Sequence, residues 1–165
     1  MILIGIGSNL APPPYSAPRE VAEAALAALP GAGIDVVAHS SWYFSEPVPV
    51  SDQPWFVNAV AAVATGFDAP ALLAALLGLE GRFGRERGAR NAARTLDLDL
   101  LDYDGLVCAT PALVLPHPRL HERRFVLEPL REIAPGWRHP VLGRGLGELL
   151  AGLPPGQRVR RAGRE

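Results

Sequence analysis

Arg94-Thr95-Leu96-Asp97-Leu98-Asp99-Leu100-Leu101 alternates polar and apolar residues with a period of two. That period belongs to a strand whose two faces meet different surroundings. Leu96, Leu98 and Leu100 are expected to face a core. Asp97 and Asp99 then share the opposite face, their Cβ atoms roughly 7 Å apart by strand geometry. Aspartate is disfavoured in strands, and two on one face repel unless a positive group sits between them. A hard divalent cation fits, because magnesium takes one or two carboxylates and completes its shell with phosphate oxygens and water. A solvated acidic face paired with Arg94 is the alternative at this point.

Outward from this strand, Asp104-Gly105 reads as a hairpin turn and residues 106–109 as the returning strand. Asp102 and Asp104 have the other parity and read as turn and surface residues. Residues 84–94 form a Gly/Ala/Arg segment without apolar period, able to close as a lid and exclude water. Before it, Asp68 and Pro70 open a helix in which Leu72, Leu76, Leu79 and Phe83 recur at helical spacing until Gly84. Residues 56–65 and 34–44 read as strands, separated by a loop with Pro47, Pro49 and Pro54. Residues 1–6 read as a short buried strand ended by a turn at Gly7-Ser8-Asn9. Ser16 is expected to cap a helix reaching Leu29. After Pro116-His117-Pro118, residues 119–133 read as a helix that Pro129 kinks or splits. A short strand near Val141, a helix at 146–150 and a frayed tail over 158–165 complete the chain. Strands and helices intersperse without strict alternation, so the expected fold is α+β, a largely antiparallel sheet with helices on its faces.

The 165 residues fit one domain, expected over 1–165. All 16 basic residues are Arg. A P-loop is therefore excluded for want of its Lys, and phosphate must be met by Arg forks or metal. Net charge is -1, against a protein that coats nucleic acid. The single cysteine, Cys108, makes no internal disulfide and suits a reducing compartment. No basic, signal-like N-terminus and no uncharged apolar run of about 18 residues occur, so a cytoplasmic protein without membrane contact is expected. No large apolar stripe shows, which favours a monomer.

Two further groups of residues carry chemistry. Arg82, Arg85, Arg87, Arg90 and Arg94 precede the Asp pair, and Arg119, Arg123 and Arg124 follow His117. Arginines flanking a carboxylate pair suit phosphoryl transfer, where catalysis is mostly positioning and charge neutralisation. Trp55, Phe56 and Phe125 are aromatic rings on which a flat heterocycle can stack. Asn58 shares a strand face with Phe56 and carries an amide able to pair with a heterocycle edge. Solvated arginines and ordinary core aromatics are the competing readings. The rival function is a ferredoxin-like RNA- or nucleotide-binding module without catalysis.

Gly5-Ile6-Gly7-Ser8-Asn9-Leu10, Ser45-Glu46-Pro47-Val48, Asp52 through Asn58, Glu80 with Gly84-Arg85 and Arg87, the stretch Arg94 to Leu101, and Pro116-His117-Pro118 through Arg123-Arg124-Phe125 occur in an order and spacing that resemble the 6-hydroxymethyl-7,8-dihydropterin pyrophosphokinase family of folate biosynthesis. The resemblance runs to about residue 135. It implies a ferredoxin-like fold, ATP, two magnesium ions, and attack of the pterin hydroxymethyl oxygen on the β-phosphorus with AMP leaving. It implies Asp97 and Asp99 as metal ligands and, with Arg85 and Arg94, as catalytic residues. It places Ser45, Glu46, Val48, Phe56, Asn58 and Phe125 at the pterin. It places Leu77, Arg87, Leu100, Val114, His117 and Arg123 at ATP. Glu80 matches a family Glu whose role the sequence leaves open. Asn91 in place of a frequent Trp, Leu77 in place of a polar residue and Phe56 in place of a frequent Tyr depart from the pattern.

Overall fold

The computed structural model describes residues 1–84 and 95–163. Among the described residues, eight strands and four α-helices follow one another as β1 (Ile2–Ser8), α1 (Pro18–Ala28), β2 (Ile34–His39), β3 (Tyr43–Ser45), β4 (Phe56–Thr65), α2 (Ala69–Arg82), β5 (Asp97–Tyr103), β6 (Cys108–Ala109), β7 (Val114–Leu115), α3 (Arg124–Ile133), α4 (Leu146–Ala151) and β8 (Val159–Arg161). The main sheet runs β5-β1-β4-β3-β8, and β2 also pairs with β4. All its pairings are antiparallel. On the edge away from β1, β4 serves two partners in turn, β3 at Phe56–Asn58 and β2 at Ala61–Thr65. This is the α+β architecture expected, and it is compatible with the ferredoxin-like arrangement.

Alternation along the central strands sorts the core into two layers. Ile2, Ile4 and Ile6 of β1, Ala59 and Ala61 of β4, and Leu98 and Leu100 of β5 pack with Val21 and Ala25 of α1 and Leu72, Leu76 and Leu79 of α2. Leu3, Val60 and Leu101 face the other way, onto Val126, Leu127 and Leu130 of α3 and Leu146 and Leu150 of α4. Burying each such aliphatic side chain contributes about 1.5–3 kcal/mol, so each face of the sheet carries its own hydrophobic layer. Asp68 caps α2 as expected, its carboxylate accepting from the Ala71 N–H at 3.0 Å.

Several expectations are corrected. The span 34–44 is two strands, because Ser40 turns its hydroxyl and its backbone N–H onto Val60 and interrupts the ladder. Ala17, not Ser16, is the N-cap of α1. Residues 106–109 do not return along β5; Cys108–Ala109 pairs instead with β7. The segment 119–133 is divided at Arg123, between a 3-10 turn (Leu120–Glu122) and α3, and Pro129 lies inside α3. No strand forms at Val141, where only an isolated Arg138–Gly145 bridge is seen. The tail is not frayed over 159–161, since β8 pairs with β3 and Ala162 N donates to Trp42 O.

Asp102 is corrected too, through a bulge. Ile4 pairs with Leu100 and Leu3 with Asp102, leaving Leu101 as an extra residue. A bulge of this kind reverses the alternation beyond it. Asp102 therefore turns inward and is only 3% exposed. It accepts hydrogen bonds from Gly105 N at 2.9 Å and Trp137 Nε1 at 2.8 Å. Asp104 is a turn residue as expected, at φ 51°, and pairs with the N-terminal amine.

Candidate active site

On the α3 side of the sheet, Leu3 of β1 is a large core residue, but the next two residues on that face are Gly5 and Gly7. Their missing side chains open the floor of a cleft of about 830 Å³, counting its open mouth. That size suits a small-molecule site. Gly5 pairs with Asp99 and Gly7 with Asp97 on one side, while Gly7 pairs with Asn58 on the other. A Cβ on Gly7 would lie 3.0 Å from Asn58 Oδ1, and one on Gly5 3.8 Å from the Asp99 Cβ. Gly7 is thus a strand residue like Gly5, β1 continuing to Ser8, rather than the start of the turn expected at Gly7-Ser8-Asn9. Their period-two spacing, matching the register of the Asp pair, was the available signal.

The acidic wall is β5. Asp97 and Asp99 both line the cleft, as the alternation requires. Arg123 and Arg119 line it beside them, and Arg123 Nη1 lies 3.6 Å from Asp99 Oδ2. The strand that carries the acids is fixed from behind. Glu80 of α2, 4% exposed, accepts from Leu98 N at 2.8 Å, and Leu98 is the residue between the two aspartates. Because β5 is the edge of the sheet among the described residues, this carboxylate receives an N–H that no further described strand takes. That gives Glu80 a structural role the sequence left open.

His117 stands close by. Its backbone N–H donates to Leu101 O at 2.9 Å, and its Nδ1 accepts from Arg119 N at 3.1 Å. Burial first, then the Arg123 charge, push its pKa from 6.5 down to about 4, against the opposing pull of Asp97. At neutral pH the ring is therefore neutral, with Nδ1 an acceptor and Nε2 carrying the proton.

The opposite wall is polar and aromatic. Ser45, Glu46, Val48, Phe56, Asn58 and Phe125 all line the cleft, joined by Pro47 and Pro49. Asn58 donates through Nδ2 to the Ser45 hydroxyl, which fixes the amide's orientation. The base of the Pro-rich loop is tied down by Asn9, whose Nδ2 reaches Gln53 Oε1 and Pro54 O, each at 3.2 Å. The Arg123 guanidinium carbon lies 5.4 Å from the centroid of the Phe125 ring, linking the two walls. Trp55 is half-buried and is not part of the lining; it carries the Arg158 guanidinium over its ring.

The remaining expected residues are not in this cleft. Leu100 is 4% exposed and packs into the layer shared with α1 and α2. The strand alternation explains this, since Leu100 keeps the parity of Leu96 and Leu98 and the bulge comes only after it. Leu77 on α2 and Val114 on β7 are exposed, on elements that pack beside β5. Arg85, Arg87 and Arg94, with Arg90, Asn91 and the expected lid, lie outside the described residues. Among the described residues no group of three His, Cys, Asp or Glu side chains is arranged to hold a metal. The same-face Asp97/Asp99 pair still fits a hard divalent cation whose other ligands come from phosphate and water. Among the described residues no helix is long and apolar enough to cross a membrane.

Carboxylates and arginines on one side of a glycine floor, with an amide and aromatic rings on the other, are suited to a charged group beside a flat polar one. Such an arrangement suits a group-transfer enzyme. Comparison with known sequences identifies which kind: residues 3–135 match the 7,8-dihydro-6-hydroxymethylpterin-pyrophosphokinase family, and the chain belongs to it. The chain is 44% identical over 156 residues to a 2-amino-4-hydroxy-6-hydroxymethyldihydropteridine pyrophosphokinase of Pseudomonas aeruginosa, covering 93% of this chain and 91% of that protein. A protein of the same name from Methylorubrum extorquens is 41% identical over 152 residues, covering 92% of each. One from Synechocystis is 38% identical over 148 residues, covering 90% of this chain and 73% of the relative.

Proposed function

We propose that the cleft holds ATP against Asp97 and Asp99 and a 6-hydroxymethyl-7,8-dihydropterin against Asn58, Phe56 and Phe125, and transfers pyrophosphate between them. The hydroxymethyl oxygen forms a bond to the β-phosphorus of ATP and releases its proton to solvent. The bond from that phosphorus to the bridging oxygen breaks, and the bridging oxygen leaves with AMP. The observation that carries this reading is the shared glycine floor, which puts the acidic wall and the heterocycle wall in one cavity.

Each residue has a role in it. Asp97 and Asp99 hold magnesium, with two ions as the family implies. Magnesium, when bound with the triphosphate, neutralises its charge and makes the β-phosphorus more electrophilic. Arg123 and Arg119 provide guanidinium forks for phosphate oxygens. His117 contributes its Nε2 proton as a neutral donor. As the family resemblance implies, Arg85, Arg87 and Arg94 supply further phosphate contacts, and Leu77, Leu100 and Val114 the adenine site. The Asn58 amide, oriented by Ser45, reads the pterin edge while the two phenylalanines stack on its faces.

The test is an AMP-release assay with ATP and the hydroxymethyl pterin, with and without magnesium. Wild-type protein should release AMP only when all three are present. Asp97→Ala should lower turnover at least roughly a hundredfold with an unchanged circular dichroism spectrum. A variant releasing AMP near the wild-type rate overturns the metal assignment. Salt-sensitive RNA binding with no AMP formed would instead favour a nucleic-acid-binding module.

A further inference from the structure

Residues beyond 135 lie outside the span matched by the family, yet one of them reaches the cleft wall. β8 pairs with β3, Val159 opposite Ser45, and the pairing extends one step further as Glu46 N donates to Arg158 O at 3.1 Å. The Arg158 guanidinium then takes both oxygens of the Glu46 carboxylate, Nε to Oε2 and Nη2 to Oε1, each at 3.1 Å. The same guanidinium carbon sits 5.4 Å from the centroid of the Trp55 ring. Glu46 is the first residue after β3 and Trp55 the last before β4. One side chain therefore spans both ends of the segment 46–55.

That segment is the heterocycle wall. Glu46, Pro47, Val48 and Pro49 line the cleft, and Phe56 follows Trp55 directly. The Glu46 side chain is 12% exposed and that of Arg158 is 70% exposed, so the arginine closes the wall from outside. The Arg158 fork, foremost by its hydrogen bonds, holds the Glu46 carboxyl below its ordinary pKa. A two-pronged fork is more directional than a single contact, and guanidinium over indole adds a second attachment.

We propose that Arg158 is a positioning residue for the pterin side of the cleft, an inference that rests on the pterin reading above. By clamping Glu46 to Trp55 it sets the wall before substrate arrives, so less ordering is left to binding. Without it, the Glu46 carboxylate loses its counter-charge at the cleft wall. The ATP side is built from β5, Arg119 and Arg123, and none of these touches Arg158 through the contacts above.

Steady-state kinetics of Arg158→Ala and Arg158→Lys, with a melting curve for each, test this. Arg158→Ala should raise KM for the pterin about three- to tenfold, the range expected for an exposed ion pair with a cation–ring contact. Its kcat, its KM for ATP and its melting temperature should change little. Lys keeps the charge without the fork and should recover part of the loss. Hydrogen exchange over residues 46–55 should quicken in Arg158→Ala. A pterin KM within twofold of wild type overturns the proposal. So does a parallel fall in both substrate affinities and in the melting temperature, which would mark a merely structural residue. If wild-type protein binds no pterin, the pterin reading fails and this proposal with it. An active wild type with an indifferent Arg158→Ala sinks the positioning role alone.

Discussion

Glu80→Ala should be among the most costly single changes available on α2, and the structure gives the size. The Glu80 carboxylate accepts from Leu98 N at 2.8 Å, with Glu80 4% and Leu98 2% exposed. Removing it leaves a buried N–H without this acceptor, which costs about 1–3 kcal/mol. One buried methylene, Cγ, goes as well, at about 0.8 kcal/mol. A loss of about 3 kcal/mol is therefore expected, lowering the melting temperature by roughly 6–12 °C for a chain of this size. Glu80→Gln keeps an oxygen acceptor and drops the charge, so it should cost about 1 kcal/mol or less. Urea unfolding followed by tryptophan emission reads both values. Activity supplies a second readout, because Leu98 lies between Asp97 and Asp99: the Ala variant should need more magnesium for half-maximal rate while its pterin KM stays near wild type. An Ala variant with a wild-type unfolding midpoint would refute the clamp. A Gln variant as damaged as the Ala variant would show that charge, not the acceptor, is what matters.

Two further predictions follow from the groups behind the cleft. His117 has a folded pKa of about 4 against an ordinary 6.5. The unfolded chain therefore takes its proton first on acidification. The contribution is fully present above about pH 6.5 and declines as pH falls toward 4, in total roughly 3 kcal/mol. Measured without ATP or magnesium, His117→Asn should flatten stability between pH 6.5 and 4; an unchanged slope would count against the buried neutral ring. Trp137→Phe removes the Nε1 donor from the buried Asp102 carboxylate and should cost about 1.5–3 kcal/mol. In a double-mutant cycle with Asp102→Asn the two changes should be non-additive, and additive losses would contradict the contact.

The acidic wall was legible because its residues obey a local rule. Each leucine of Leu96, Leu98 and Leu100 meets the α1/α2 layer, so the period of two survives folding and carries Asp97 and Asp99 to the far face. The rule fails at Leu101, where pairing with β1 inserts the bulge. A bulge is set by the partner strand's register, which the sequence of β5 alone does not contain. Asp102 was misread for that reason. The break at Ser40 is similar, since it depends on the hydroxyl finding Val60 across the sheet.

The supports of the site were not legible, and they share a cause. Arg158 holds Glu46 across 112 residues and Glu80 holds Leu98 across 18. Arg158 and Glu80 are ordinary surface types by composition, and only the packed sheet brings each to its partner. The β8 segment, Val159-Arg160-Arg161, has too little apolar alternation to declare itself a strand. Groups that meet a ligand are constrained in type and spacing by that ligand's chemistry, and so leave a pattern along the chain. Groups that hold them need only one matching partner anywhere, so their evidence is geometric. This is why the stretch Arg94 to Leu101 could be read at once, whereas the clamp from the C-terminal strand to the opposite wall emerges only when β3 and β8 are seen side by side.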